Sequence, residues 1–390
     1  MRLEAMLAIR RLQHHPGPAR WSMERIGSCN PGAVAWVLQK IIINFLIIYL
    51  SIPKGIENKS IPLLCLEQYQ FLKTKNTQNA ILIQSFRKNY SQAIIPYVIT
   101  ILAASMFKFN RETFVQVLGL TQKQPWLEAK VEILSFLLAD ECNSDEKRAL
   151  LIELLDRFVY LSSAEFQKKL EELAESICTD PSLNDDSTQI VAMAADSSAD
   201  SSQYILYGLK PILERNNWRK YSHVNTFGKA FTTYKSKRSH NNIVLIDEFV
   251  GTGKTVINRV AEINRQFHNA QISDFSIRVK VITATELGIE NVRSVGINIE
   301  SLISIKKGIS DFNPEDQTIL KKSLMVEIES LLLERYGDSD LPSLGYGESE
   351  SLYSRDDGNT PNNVFPVFWW PFYKDNTSRQ VLLTRAMGDA

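Results

Sequence analysis

Apolar and polar positions alternate in two different rhythms along the chain. From residue 63 to about 178 the rhythm is helical. Val131, Leu134, Leu137 and Leu138 fall on one stripe, and so do Leu151, Leu154, Leu155 and Phe158. Asn143 with Glu146, and Ser162 with Glu165, read as capping boxes opening helices. The second of these helices carries Phe166, Leu170, Leu173 and Ile177 and stops at Asp180-Pro181, where proline cannot continue it. Beyond Leu183–Ser187 the rhythm changes. Short apolar runs, Gln189–Ala195, Ile243–Ile246, Arg278–Thr283 and Gly296–Ile299, alternate with helical stretches. That order predicts an α/β fold with a parallel, doubly wound sheet. The expected organisation is an uncertain segment 1–60, a helical domain 61–182 available to a protein partner, an α/β domain 183–373, and a tail 374–390. Asp338–Asp357, rich in Gly, Ser and acids, reads as a loop with little fixed structure.

The chemistry concentrates in Ile243–Thr255, IVLIDEFVGTGKT. Its ending suggests a nucleotide-binding P-loop, but the first glycine of that motif would fall at Glu248, where a carboxylate would face the phosphates. A different reading uses every residue. A buried strand ends in Asp247 and Glu248, a tight turn with Gly251 and Gly253 follows, and Val256, Ile257, Val260 and Ile263 open a helix. Ligands bind at the carboxyl ends of strands in open α/β sheets, and a helix N-terminus suits one phosphate monoester. Carboxylates accept hydrogen bonds from vicinal hydroxyls. Two acids beside one phosphate cradle describe a ribose 5-phosphate site.

This stretch resembles the motif of the type I phosphoribosyltransferases: apolar residues, an acidic pair, a spacer, then Thr-Gly-x-Thr. The resemblance implies binding of phosphoribosyl pyrophosphate with Mg²⁺. Asp247 and Glu248 would hold the ribose hydroxyls as the catalytic acids, and Gly251, Thr252, Gly253, Lys254 and Thr255 would hold the 5-phosphate. Members acting on 6-oxopurines carry Asp where this chain has Gly251, which argues against a purine salvage enzyme. The resemblance also implies a pyrophosphate loop after the first core strand, with Asp196, Ser197 and Ser198 as candidates. Equally, these residues suit a solvated turn and helix cap. A mobile basic loop is implied within Asn216–Asn242, which carries Arg219, Lys220, Lys229, Lys235, Lys237, Arg238 and His240.

Farther on, Asn359-Thr360-Pro361-Asn362-Asn363 runs into Val-Phe-Pro-Val-Phe-Trp-Trp370. Together with the GTGKT loop this resembles the PRTase-CE branch, domains of bacterial conflict systems with an expected role in defence against phage. Within that branch Asn359, Thr360, Asn362 and Asn363 are candidates for the base side of the pocket. The same residues also suit a turn leading to a buried strand. Two functions stay open: an enzyme that transfers or hydrolyses a phosphoribosyl group, and a non-catalytic module that senses phosphoribosyl pyrophosphate or a nucleotide.

Composition narrows the alternatives. Lys+Arg and Asp+Glu balance at 44 each, so no global charge draws the chain to nucleic acid, and no nucleic-acid motif is present. Cys29, Cys65, Cys142 and Cys178 are widely spaced, which argues against a disulfide framework or zinc site and fits a reducing cytoplasm. The apolar run Ile41–Ile52 is short for a membrane span and reads as a buried segment.

Overall fold

The computed structural model describes residues 111–389 except 197 and 199. The expected segment 1–60, its apolar run Ile41–Ile52, Cys29 and Cys65 lie outside them. The first described elements are helices: α1 (Arg111–Lys123), α2 (Val131–Phe136), which runs on into a wider turn at Leu137–Glu141, and α3 (Asp145–Asp156). Ser144, rather than the expected Asn143, caps α3 by accepting from the Lys147 N–H. A short strand β1 (Val159–Leu161) precedes α4 (Ser163–Cys178), whose Ser162–Glu165 capping box is complete.

The α/β alternation then follows: β2 (Thr188–Ala192), α5 (Ser201–Arg215), β3 (Ser222–Val224), α6 (Ala230–Lys237), β4 (Asn242–Val250), α7 (Lys254–Asn269), β5 (Ser276–Thr285), α8 (Glu286–Ser294) and β6 (Ile299–Ile305). The five strands β2–β6 form one parallel sheet in the order β3-β2-β4-β5-β6. Strand β4 is central and buried on both faces, so its sequence is apolar without alternation. Val244 and Ile246 pack with Phe166, Leu170 and Ile177 of α4 and Ile205 and Leu209 of α5. Ile243 and Leu245 pack on the other face with Val256, Val260 and Phe267 of α7 and Val292 of α8. Helix α4, at the end of the helical stretch, therefore covers the sheet.

Two stretches differ from expectation. Residues 216–242 hold β3 and α6 rather than a long basic loop. Arg219 pairs with Glu214 at 2.7 Å, and buried His240 contacts the Lys220 carbonyl at 3.0 Å through Nε2. Residues 338–357 are largely fixed as well. Ser349, Glu350, Ser351, Leu352 and Tyr353 are buried, and β9 (Tyr353–Arg355) pairs in parallel with β1. Before β9 come α9 (Glu315–Glu329) and a small hairpin of β7 (Arg335–Tyr336) and β8 (Ser339–Asp340).

The aromatic run after Asn363 is buried. Phe365, Phe368 and Trp370 are fully enclosed, and Phe368 meets Phe158 edge-on at 5.9 Å. Beyond Tyr373, Arg379 is buried in an ion pair with Glu141, and Leu382 and Leu383 are buried too. Among the described residues no helix is long and apolar enough to cross a membrane. Cys142 and Cys178 are free thiols, and burial pushes Cys142 up to about 12, which leaves it inert as a nucleophile.

Candidate functional site

Asp247 and Glu248 are consecutive near the carboxyl end of β4, and their side chains find different partners. Asp247 stays partly open. Its Oδ1 accepts from the Ser201 hydroxyl at 2.8 Å and from the Glu248 N–H at 2.7 Å. Ser201 is the first residue of α5, and Asp200 before it caps that helix by accepting from the Ser202 N–H. Burial raises the Asp247 carboxyl, the neighbouring Asp200 carboxylate adds to this, and the result is pushed up to about 7. Ser202, fully buried, ties the α5 N-terminus to the sheet by accepting from the Ala194 N–H at 3.0 Å.

Glu248 is enclosed, with 4% exposure. The Nε–H of Arg355 donates to it at 2.9 Å and the Tyr353 hydroxyl at 3.3 Å. Burial raises its carboxyl, and Arg355 opposes that effect. Sequence reasoning missed both partners. The one available signal was Leu352-Tyr353, a large apolar pair inside an otherwise polar stretch.

The loop after β4 is short. The strand continues through Phe249 and Val250, so only Gly251–Gly253 separates it from α7. That leaves no chain to wrap a triphosphate, and the P-loop alternative loses its geometric basis. The turn rests on α8. The Thr285 hydroxyl donates to the Gly251 carbonyl at 2.6 Å and also accepts from the Gly288 N–H at 2.9 Å, capping α8. Asn291 donates to the Thr252 carbonyl at 3.0 Å. Gly253 has φ +78°, and a Cβ there would lie 2.7 Å from Val292 and 2.8 Å from the Gly288 carbonyl. Thr252 is half-buried, while Lys254 and Thr255 are exposed at the start of α7. The carbonyls of Gly251 and Thr252 are thus turned down onto α8 at the positive end of the 16-residue helix α7, an arrangement suited to a phosphate. A cleft of about 640 Å³, lined by Thr252, Lys254, Asn258, Asn291 and Tyr346, opens beside it.

The remaining candidates separate. Asp196 is exposed and accepts from the Ser198 N–H at 2.7 Å, a turn that holds its carboxyl below the usual range; Ser197 lies outside the described residues. Asn359 accepts from the Ala386 N–H at 2.8 Å, Asn362 offers its carbonyl to the Tyr346 N–H at 2.9 Å, and buried Thr360 contacts Ser354 at 3.2 Å. Asn363 meets the loop. Its side chain lies where a Cβ on Gly251 would be, with Oδ1 2.1 Å from that position. It is held there by donating to the Tyr346 carbonyl at 3.0 Å and the Ser349 hydroxyl at 3.1 Å. The absence of an acid at position 251 thus has a steric cause.

A family model, PRTase-CE, matches residues 140–384, from just before α3 through the buried Asn363 and Trp370. The chain belongs to the PRTase-CE family. Solved structures similar to this PRTase-CE chain include orotate phosphoribosyltransferase from Aeropyrum pernix, at 11% identity over 36% of this chain and 71% of that one, TM-score 0.24. Hypoxanthine-guanine phosphoribosyltransferase from Schistosoma mansoni, in complex with IMP, matches at 13% identity over 38% and 66%, TM-score 0.25. A hypothetical protein from Neisseria gonorrhoeae with bound ppGpp matches at 12% identity over 43% and 97%, TM-score 0.27. No curated protein matches the chain. The family match accompanies a phosphoribosyltransferase-like α/β fold, with the five-stranded parallel sheet carrying the acidic strand end and the glycine turn.

Proposed function

We propose that this PRTase-CE protein binds phosphoribosyl pyrophosphate with Mg²⁺ and transfers or hydrolyses the phosphoribosyl group. The observation that supports this most is the pairing of a partly open Asp247 with the glycine turn at the α7 N-terminus, which begins four residues farther along the same chain. Asp247 would accept from a ribose hydroxyl while Gly251–Thr255 fix the 5-phosphate, which together locate the anomeric carbon. Glu248 would be the second ribose acid once freed from Arg355. Breaking the C1–O bond builds positive charge on the ribose, and a carboxylate beside it stabilises that charge. Asp247 serves this role only when ionised, and burial opposes that ionisation.

Among the described residues no cluster of three or more His, Cys, Asp or Glu forms a metal cage. Asp247 and Asp200 nonetheless offer hard oxygen donors of the kind Mg²⁺ accepts when most of its ligands are waters and phosphates. These two would hold the ion, which would supply charge neutralisation for the leaving pyrophosphate. The proposal extends to a role in defence against phage, which the resemblance to domains of bacterial conflict systems implies.

The Glu248–Arg355 pair favours a second reading, a sensor that binds the same ligand without turning it over. Phosphorus NMR of the full chain with phosphoribosyl pyrophosphate and Mg²⁺ separates the two. Release of pyrophosphate that Asp247→Asn abolishes supports the enzyme. Saturable binding with unchanged ligand supports the sensor. A plaque assay with wild type and Asp247→Asn tests the defence role, which predicts protection by wild type alone.

A further inference from the structure

Glu248 is one of two acids on which the phosphoribosyl reading rests, yet its carboxylate already has a cationic partner. The Arg355–Glu248 pair is no loose surface contact. The two side chains are 9% and 5% exposed, and Tyr353 supplies a further hydrogen bond to the same carboxylate. The guanidinium carbon lies 4.3 Å from the Phe166 ring centre and 5.0 Å from that of Tyr204, so α4 and α5 both contribute aromatic contacts to the cation. Nη1 donates to the Asp356 carbonyl at 3.0 Å. The arginine comes from outside the five-stranded sheet. It sits on β9, in register with Leu161 of β1, and Tyr353 on the same strand stacks on Phe249 of β4 at 5.2 Å. Strand β9 thus places two of its side chains, Tyr353 and Arg355, on the segment that carries the acids.

A ribose hydroxyl is a neutral donor, and a guanidinium is a charged one that makes the stronger bond to carboxylate. A neutral diol does not displace a stacked, buried arginine from its acid without cost. We infer that Arg355 is a specificity-determining residue that competes with ribose for Glu248. With β9 docked, the site holds a ribose phosphate through Asp247 and the glycine turn. The grip by both acids follows only when Arg355 leaves Glu248. Ligand affinity and β9 docking are therefore coupled, and the coupling acts in both directions. This inference rests on the phosphoribosyl reading above.

The test is calorimetric titration of the full chain with ribose 5-phosphate and with 2-deoxyribose 5-phosphate. The proteins are wild type, Arg355→Met, and Glu248→Gln/Arg355→Met. The double variant removes both buried charges and guards against a fold lost to an unpaired acid. Should Arg355→Met alone not fold, Arg355→Lys keeps the charge but loses the planar guanidinium contact. The inference predicts that Arg355→Met, or in smaller measure Arg355→Lys, binds ribose 5-phosphate at least about tenfold tighter than wild type, the scale of one charge-assisted hydrogen bond. It also predicts wider discrimination against the deoxy sugar. Both gains disappear in the double variant. A folded Arg355 variant that binds no tighter than a binding-competent wild type overturns the inference and leaves the phosphoribosyl reading intact. Absence of binding in every protein, wild type included, removes both.

Discussion

Replacing Gly251 by alanine tests the contact that links the loop to the C-terminal region. The new Cβ would lie 2.1 Å from Asn363 Oδ1, 2.2 Å from its Cγ and 2.3 Å from its Nδ2. Asn363 is 7% exposed and cannot swing into solvent without cost. Moving it breaks its bonds to the Tyr346 carbonyl and the Ser349 hydroxyl, at 3.0 and 3.1 Å. Its own carbonyl, which accepts from the Ser349 hydroxyl and the Ser351 N–H, would shift with it. Two lost hydrogen bonds at about 1 kcal/mol each, plus an acceptor left buried without a donor, give about 2–4 kcal/mol. At roughly 2–4 °C per kcal/mol for a domain of this class, thermal melting should fall by roughly 5–15 °C. The decisive comparison is the double variant Gly251→Ala/Asn363→Gly. Its loss should be smaller than the sum of the two single losses, because the second change makes room for the first. Gly251→Ala with wild-type stability, or losses that simply add, would refute the reasoning.

Other positions give independent checks. Burial pushes Glu329 up to about 7 from 4.5, so the folded chain binds more protons than the unfolded one across that window. Its contribution therefore weakens as pH rises from 4.5 to about 7, by up to roughly 3 kcal/mol at 1.36 kcal/mol per pH unit. Urea melts at pH 5 and pH 8 should show that Glu329→Gln has a smaller loss between the two than wild type. Arg379→Ala leaves Glu141 and its Tyr373 bond buried without the cation, at a cost of about 3–5 kcal/mol, whereas Glu141→Gln/Arg379→Met should cost less, as chemical denaturation will show. Gly253→Ala places a side chain at φ +78° against Val292 and should remove ribose 5-phosphate binding in calorimetry while lowering the melting temperature.

Much of the fold was legible because it depends on local patterning. Strand β4 announces itself as Ile243–Ile246, an apolar run that only a strand covered on both faces requires. The Ser162–Glu165 box and the Asp180-Pro181 stop bracket α4 closely. The parts that escaped notice depend on distant partners. Strand β9 is three residues, Tyr353-Ser354-Arg355, too short to show a period, and only pairing with β1 makes it a strand. Ser349 and Glu350 looked exposed because they are polar, yet they are buried because their bonds are satisfied inside. Glu350 accepts from the Ile309 and Ser310 N–H groups and pairs with Lys322 at 2.9 Å. The basic stretch 216–242 failed for the same reason: its charge count hid a short edge strand and the apolar inner side of α6.

At the candidate site, sequence reasoning identified the acids and the loop but not how they are engaged. A motif gives residue types and spacing, while the Arg355 ion pair and the Asn363 contact are made across more than a hundred residues. The Gly251 position shows the difference well. From sequence it reads as a missing base-side acid, and in the fold it is the space that Asn363 occupies.

The most direct test of the central claim is calorimetric titration of phosphoribosyl pyrophosphate with Mg²⁺ into wild type and Asp247→Asn, with ATP as the competing ligand. Saturable binding to wild type, binding at least about tenfold weaker in Asp247→Asn, and none of ATP are the expected results. Binding of ATP in place of phosphoribosyl pyrophosphate by folded wild type, or equal binding by both proteins, would contradict it.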